Sequence, residues 1–323
     1  MVAESPKLKA PFQYFGGKAR VAAEVWRRFG DVPIYVEPFA GSLAVLLARP
    51  SVGRVETVND LDCDISNFWR AIQHDPKAVA QYANRPVIET DLHAWRVRLQ
   101  LSSDEHRRLM HSDPDHFDTK RAGIWVWGVA ASLNWNRPKP SPIVAGHLRG
   151  QGCCLPVDIE TWFASLCKRL RYVRVMNGDW TRCVSDAVTG ASLGQKSNYN
   201  SPCAVFLDPP YSKNIGRNEH LYAEESDVAV SVRHWATEHD YDPHFRIALC
   251  GYEGEHEMPE NWTVFSWQTQ GGHANRGHSR KDNRGRERIW FSPHCLSGDP
   301  ETVQQPPPDP QPATDLQQQS LFR

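Results

Sequence analysis

Short apolar runs that alternate with turn residues and helical segments constrain the fold of this chain most strongly. They predict strands at 34–36, 55–58, 173–176, 204–207, 246–250, 263–268 and 288–292. Helices are predicted at 21–29, before the first strand, and at 42–48, between the first two strands. Strand, turn, helix, strand is the typical opening of a parallel α/β sheet. We therefore expect an α/β fold whose sheet is built from both ends of the chain.

The segment between the two groups of strands differs in composition. Residues 76–152 are rich in His, Arg and Trp and show helical periodicity at 92–101, so they are predicted to form an inserted helical domain. The flanking parts, 1–75 and 153–296, would build the sheet, since 323 residues are enough for one large core and a smaller domain. The tail 297–323 is rich in Pro and Gln and is predicted to be disordered.

Composition narrows the class of protein. No run of about 18 apolar residues suggests a membrane span, and the polar start predicts a soluble, cytoplasmic protein. The net charge of −1 does not by itself indicate a nucleic-acid partner. The eight cysteines form no C-x-x-C pair and are expected to be reduced thiols. His147 lies near Cys153 and Cys154, but isolated His and Cys are usually structural, so no metal is expected.

The sharpest motif is the tetrapeptide Asp208-Pro209-Pro210-Tyr211, which directly follows the apolar run 204–207. A buried parallel strand would place it at the carboxyl end, where open α/β sheets bind ligands. Two prolines fix φ and remove two N–H donors, which leaves stiff carbonyl groups as hydrogen-bond acceptors. Such a loop is suited to hold an amino group, and a structural Pro-Pro turn is the alternative.

An exocyclic amine on a ring is a weak nucleophile because its lone pair is delocalised into the ring. A carboxylate and a carbonyl that accept both of its hydrogens shift electron density back toward the nitrogen. We assign these roles to the side chain of Asp208 and the carbonyl of Pro209. Tyr211 is expected to stack on a base that has rotated out of its duplex.

A second motif, YVEPFAGS at 35–42, follows a short strand and opens a helix. Gly41 would allow the backbone to approach a ligand closely, and the helix N-terminus would present free N–H groups. About twenty residues later Asp60 ends the next strand, a usual place for a carboxylate that binds ribose hydroxyls. Together the two features indicate a nucleoside-containing cofactor, whereas each alone is an ordinary strand-end loop.

Two further segments fit such a cofactor. FQYFGGK at 12–18 combines aromatic residues, a Gly-Gly turn and Lys18, which suits stacking and the binding of a ligand carboxylate. Asn177-Gly178-Asp179-Trp180 follows the strand predicted at 173–176 and places Asp179 where it could hydrogen-bond an adenine amino group. Either segment alone would be ordinary loop chemistry.

In their order along the chain, these segments resemble the Dam-like, alpha-group family of DNA adenine-N6 methyltransferases. The likeness covers roughly residues 11–292. It implies a Rossmann-like S-adenosylmethionine-dependent methyltransferase sheet with an inserted, mainly helical target-recognition domain. It also implies site-specific transfer of a methyl group from S-adenosylmethionine to the N6 amino group of adenine in double-stranded DNA, with base flipping.

The resemblance assigns roles to individual residues. The cofactor-binding residues would be Tyr14, Gly17, Lys18, Glu37, Phe39, Gly41, Asp60 and Asp179. The catalytic residues that hold the target base would be Asp208, Pro209, Pro210 and Tyr211. No metal is implied, because the sulfonium is already activated and positioning does most of the work.

Basic residues in two loops are candidates for DNA contacts. The segment 276–288 carries six Arg or Lys residues against two acids, a composition typical of a phosphate-contacting loop or of a solvated one. The second candidate is the Asn-Arg-Pro-Lys stretch of the predicted insertion, while Trp125 and Trp127 are expected in the core. The proposed contacts are Arg137, Lys139, Arg276, Arg280, Lys281, Arg284, Arg286 and Arg288.

One residue departs from the family pattern, and three rival functions stay open. Many relatives have a second glycine where this chain has Leu43, so the geometry or affinity of cofactor binding could differ if φ must be positive there. The rivals are a cytosine-N4 methyltransferase, a catalytically silent DNA-binding protein, and an enzyme that methylates RNA or protein amides. The motif order favours adenine, and intact Asp208 and Tyr211 favour an active enzyme.

The end of the chain suggests a protein partner. Gln318, Leu321 and Phe322 resemble the short motif with which bacterial replication and repair proteins bind the sliding clamp. A disordered tail with a terminal Leu-Phe is suited to docking in an apolar pocket. We otherwise expect a monomer in a bacterial or phage-infected cell.

Overall fold

A seven-stranded sheet lies at the centre of the fold. The strands are β1 (Ile34–Glu37), β2 (Val55–Asp60), β3 (Val173–Asn177), β4 (Cys203–Leu207), β5 (Phe245–Tyr252), β6 (Thr263–Ser266) and β7 (Glu287–Phe291). The computed structural model describes residues 8–12, 18–51, 55–132, 135, 158–191, 201–211, 228–267 and 287–297. All seven strands lie where the apolar runs predict them.

The strand order is β3-β2-β1-β4-β5-β7-β6. The first five strands are parallel to their neighbours, whereas β7 runs antiparallel between β5 and β6. The order reverses between β1 and β4, and open α/β sheets bind their ligands at such a reversal. The mostly parallel sheet confirms the predicted α/β class and is consistent with a Rossmann-like methyltransferase fold.

Helices flank the sheet on both faces. They are α1 (Ala22–Phe29), α2 (Ala44–Leu47), α3 (Cys63–His74), α4 (Pro76–Ala83), α5 (Glu89–Leu101), α6 (Ser103–Ser112), α7 (Thr119–Ala131), α8 (Ile159–Leu170), α9 (Asp186–Thr189) and α10 (Val228–Glu238). Asp62, Asp75 and Asp118 cap α3, α4 and α7 by accepting a hydrogen bond from a backbone N–H of the first turn. Among the described helices, none combines the length and the apolar character needed to cross a bilayer.

Residues of the central strands alternate between two apolar clusters, one on each face of the sheet. In β4, Ala204 and Phe206 pack into the cluster that contains α1, α3, α7 and α8. Val205 and Leu207 pack into the opposite cluster with α10. The whole of β4 is buried, as expected for a parallel strand that is covered on both faces. Asp208 therefore follows a strand that is held rigidly from both sides.

Helices α4 to α7 lie in the segment predicted as an insertion. Trp125 and Trp127 of α7 are 2% and 0% exposed and belong to the same apolar cluster as Tyr35 of β1, which confirms their predicted place in the core. Gly123 lets α7 lie close to α4, because a Cβ atom there would come within 2.5 Å of the carbonyl oxygen of Val79. The domain boundaries and the recognition role of 76–152 stay predictions.

A buried carboxylate joins β2 to two helical segments. The side chain of Glu56 is fully buried and lies 3.1 Å from Arg49 Nη1, just after α2, and 2.6 Å from Arg169 Nη1 of α8. Loss of this charge would leave two buried or nearly buried guanidinium groups without their acid. Breaking a buried pair in this way is far more costly than breaking an exposed one.

We predict that Glu56→Ala lowers the free energy of unfolding by roughly 3 to 5 kcal/mol. Glu105→Ala serves as the control, because Glu105 pairs with Arg108 at 2.7 Å on the exposed surface of α6 and its removal should hardly change stability. Urea unfolding followed by circular dichroism measures both effects. Equal stability of the two variants would contradict the structural role of Glu56.

Candidate active site

Acidic residues follow three neighbouring strands at one edge of the sheet. Glu37 ends β1, Asp60 ends β2, and Asp208 comes directly after β4. The carboxyl ends of parallel strands meet at the same edge, so residues from distant parts of the chain are brought together there. This edge carries the predicted cofactor loops and the predicted catalytic loop.

Hydrogen bonds tie the strand-end loops to one another. The Nδ2 of Asn59 donates to the carbonyl oxygens of Pro38 at 2.9 Å and Gly178 at 3.0 Å. The backbone N–H of Gly41 donates to Asp60 Oδ2 at 2.9 Å. The loops after β1, β2 and β3 therefore form one connected rim.

A pocket opens at this rim between the ends of β1 and β4. Its walls are formed by Lys18, Glu37, Phe39, Ala40, Gly41, Ser42, Ala44, Val45, Phe206 and Asp208. Four predicted cofactor-binding residues and the predicted catalytic Asp208 thus line the same space. Within the described residues, no group of three or more His, Cys, Asp or Glu side chains is arranged to hold a metal ion.

Lys18 contacts the predicted catalytic tetrapeptide directly. Its Nζ lies 2.8 Å from Asp208 Oδ2 and donates to the hydroxyl of Tyr211 at 3.1 Å. The Tyr211 hydroxyl in turn donates to Asp208 Oδ1 at 3.2 Å. Burial acts to lower the pKa of Lys18, but the charge of Asp208 and other nearby acids outweighs it, so this pKa is raised. Lys18 stays charged and holds the carboxylate and the phenol in place.

Glu37 is buried beside the pocket and carries a displaced pKa. Its Oε2 accepts a hydrogen bond from the Tyr35 hydroxyl at 2.9 Å. Burial raises the pKa of Glu37 to about 8, and the charges of Asp208 and Asp60 add to the rise, while hydrogen bonds from Tyr35 and a backbone N–H oppose it. Near neutral pH, Glu37 is therefore mostly protonated in this structure.

Asp60 and Asp179 keep acceptor positions for a ligand. Asp60 Oδ1 accepts from the N–H of Asp62 at 3.0 Å and Oδ2 from Gly41, which leaves a lone pair on each oxygen. Burial raises the pKa of Asp60, although these backbone N–H groups act to lower it. Asp179 is exposed, and its Oδ1 accepts from the N–H of Thr181 at 2.9 Å.

Leu43 lies in the left-handed region of backbone space, just before α2. Its φ of 61° and ψ of 25° are left-handed, and among the described residues no other non-glycine residue has a positive φ. This conformation costs about 1 to 2 kcal/mol. The side chain is fully buried, which contributes about 1.5 to 3 kcal/mol and offsets the cost. The turn therefore forms with a leucine at this position.

The comparison with protein families agrees with this geometry. Residues 14–94 match the family model of the D12 class N6 adenine-specific DNA methyltransferases. The match indicates a DNA methyltransferase enzyme of the N6-adenine class. No curated protein matches the chain.

The match to the methyltransferase family covers about a quarter of the chain. It begins in the aromatic-Gly-Gly-Lys segment, includes the loop at 37–42 and Asp60, and ends within α5. It confirms the family resemblance predicted from the motifs. The predicted catalytic tetrapeptide at 208–211 lies beyond it, so the catalytic roles of these four residues stay predictions.

Several predicted contacts of the methyltransferase fall outside the described residues. Tyr14 and Gly17 of the cofactor set do so, as does the possible metal-binding group at 147–154. The same holds for the DNA contacts Arg137, Lys139, Arg276, Arg280, Lys281, Arg284 and Arg286. Arg288 is described: it lies in β7, is not among the residues that line the pocket, and its Nη2 is 3.0 Å from Glu253 Oε2. All these roles stay predictions.

The structure adds two residues to which the motif analysis assigned no role. Tyr252 at the end of β5 packs its ring against Tyr211, with the ring centres 4.8 Å apart and the planes at 67°. Tyr35 donates its hydroxyl hydrogen to Glu37 from two positions earlier in β1. The only local signal for Tyr252 is its place at the end of a predicted strand, because its partner comes from a different loop.

We predict that Glu37→Gln stabilises the methyltransferase progressively as the pH rises from about 4.5 to 8. Below the ordinary pKa of 4.5, Glu37 is protonated in both folded and unfolded chains. Between 4.5 and about 8 the unfolded chain loses this proton while the folded chain keeps it, so the wild type loses about 1.4 kcal/mol per pH unit. Glutamine stays neutral and can still accept the hydrogen bond from Tyr35.

Urea unfolding of the wild type and of Glu37→Gln from pH 4 to pH 9 measures this difference in stability. The other titrating groups are the same in both proteins, so their contributions cancel in the comparison. A stability difference between the two proteins that stays constant across the window would show that Glu37 titrates near its ordinary pKa.

Proposed function

We propose that this chain transfers the methyl group of S-adenosylmethionine to N6 of an adenine that has rotated out of double-stranded DNA. The observation that carries the proposal is the shared pocket, where Glu37 and Gly41 of the cofactor loop lie beside Asp208 of the tetrapeptide. Reacting atoms must approach to about 3 to 3.5 Å for transfer, which requires the loop for the donor and the loop for the amine to meet.

The side chains around the pocket suit S-adenosylmethionine, which when bound supplies a methyl group on a positively charged sulfur. Glu37 offers a carboxyl group to a cationic part of the molecule, and its displaced pKa would fall on meeting a positive charge. Asp60 retains lone pairs for the ribose hydroxyls, and Asp179 is exposed beside β3, where it would meet the adenine. Lys18 is already paired with Asp208, so a ligand carboxylate would have to share it.

Asp208 and Pro209 would hold the target amine. Asp208 Oδ2 is fixed by Lys18 at 2.8 Å, whereas Oδ1 accepts a longer bond of 3.2 Å from Tyr211. The amine would replace this weaker bond and donate to Oδ1, while Lys18 keeps the carboxylate in position. The carbonyl of Pro209 would accept the second hydrogen, and the ring of Tyr211 would stack on the base.

The other proposed contacts extend this function. The basic residues of the loop 276–288 and of the segment 137–139 would contact DNA phosphates. Gln318, Leu321 and Phe322 would dock the enzyme to a sliding clamp, as their resemblance to clamp-binding motifs implies. These residues other than Arg288 lie outside the part of the chain that the structure describes.

We predict that Asp208→Asn reduces methyl transfer to DNA at least about 100-fold, because the amine loses a charged hydrogen-bond acceptor. S-adenosylmethionine should still bind, since the carboxylate contacts the target amine. Transfer is measured with labelled cofactor and unmethylated DNA, and binding by calorimetry. Because a neutral amide in place of the carboxylate would leave Lys18 without its acid, thermal denaturation checks that the variant is folded. Glu105→Gln, on the exposed surface of α6, is the control.

Digestion of the modified DNA to nucleosides separates the rival functions. N6-methyldeoxyadenosine is the expected product, whereas N4-methyldeoxycytidine would identify the cytosine enzyme. DNA binding without any methyl product would favour the silent binding protein. An equal loss of transfer and of cofactor binding in Asp208→Asn would contradict the assigned role of this residue.

A further inference from the structure

Two exposed cations, one on α5 and one on α7, share one aromatic ring. Lys120, in the first turn of α7, places its Nζ 5.1 Å from the ring centre of Trp95 and 5.9 Å from that of Tyr82. Arg98, three residues after Trp95 in α5, places its guanidinium carbon 5.4 Å from the same indole ring. We call Tyr82, Trp95, Arg98 and Lys120 the basic-aromatic surface.

The two cations of this surface have no ion-pair partner among the residues that the structure describes. Lys120 and Arg98 are both exposed, and no acidic side chain of the described part forms an ion pair with either. Arg121, the next residue after Lys120, differs: it is buried and paired with Asp64. Two like charges on one indole ring repel each other. An incoming anion would relieve this repulsion.

The arrangement favours phosphate over an unpaired base. Proteins that bind single strands use free aromatic faces for base stacking, whereas Trp95 is already contacted by Lys120 and Arg98. Positioned Lys and Arg side chains are the groups that contact the phosphates of a duplex. Contact with the Trp95 ring already restricts the long side chains of Lys120 and Arg98. They therefore lose less conformational entropy when they bind a phosphate.

The basic-aromatic surface is anchored near the edge of the sheet that carries the active site. Arg121 pairs with Asp64 in the first turn of α3, and the side chain of Asn67 donates to the carbonyl oxygen of Asp118 at 3.0 Å. Helix α3 begins shortly after Asp60, at the end of β2. These contacts hold the start of α7, and with it Lys120, on the β2 side of the active site.

We propose that Lys120 and Arg98 contact the phosphate backbone of duplex DNA beside the target base. The inference rests on the proposed function, because the duplex is placed by its target base at Asp208. It adds a DNA contact on α5 and α7 to the two basic loops predicted from the sequence.

The test is the salt dependence of DNA binding by the full chain carrying both Lys120→Gln and Arg98→Gln. Loss of two phosphate contacts should make the slope of log K against log salt shallower by about 1.8. Between about 50 and 200 mM salt, the double variant should then lose roughly tenfold less affinity than the wild type. Fluorescence anisotropy with a labelled duplex of mixed sequence measures this, since backbone contacts act on all sequences.

Two control proteins make the result specific. Arg108→Gln removes an exposed arginine that is paired with Glu105, and it should keep the wild-type slope. Lys120→Arg combined with Arg98→Lys preserves both charges and should also keep it. Thermal denaturation checks that each variant is folded.

The possible outcomes separate this inference from the proposed function. A wild-type slope in the Gln double variant, with normal methylation of DNA by the wild type, would overturn the inference alone. An equal change of the salt-dependence slope in Arg108→Gln would also overturn it, because the loss of any surface charge would then have the same effect. A wild type that neither binds nor methylates DNA would remove the proposed function, and the inference with it.

Discussion

The parallel alignment of β1 to β5 is the constraint on which the rest of the structure depends. It brings the ends of β1, β2 and β4 to one edge, so that Glu37, Asp60 and Asp208 surround a common site. Lys18, which precedes α1, contacts Tyr211 at this edge across 193 positions of sequence. The burial of β4 on both faces then keeps the predicted catalytic loop in a fixed position relative to the predicted cofactor loop.

Electrostatic balance at this edge explains how several acids can be buried together. Asp208 is compensated by Lys18, while Glu37 avoids its charge by retaining a proton near neutral pH. Asp60 receives backbone N–H groups from the adjoining loops. A cationic ligand would complete this balance, because it would favour the ionised form of Glu37. The sulfonium cofactor that we propose is such a cation.

Helix α7 serves the core and the proposed DNA surface together. Trp125 and Trp127 are buried against the helices that cover the sheet, and Lys120 faces outward toward Trp95. A phosphate contact made by Lys120 would therefore be made from a helix that is packed firmly into the core. The close packing at Gly123 makes the same connection between α7 and α4.

Local patterns in the sequence determined the strands and the positions of the motif residues. A strand with apolar side chains and a Pro-Pro or Gly turn is encoded within a few residues, so the placement of Asp60 and Asp208 at strand ends, and of Gly41 in the loop after β1, could be predicted. Tertiary structure alone decided that Lys18 pairs with Asp208, which the sequence had suggested only as a partner for a ligand carboxylate. It also decided that Tyr252 packs on Tyr211. Such contacts join residues far apart in the chain, and only the packing of strands and helices determines which of them meet.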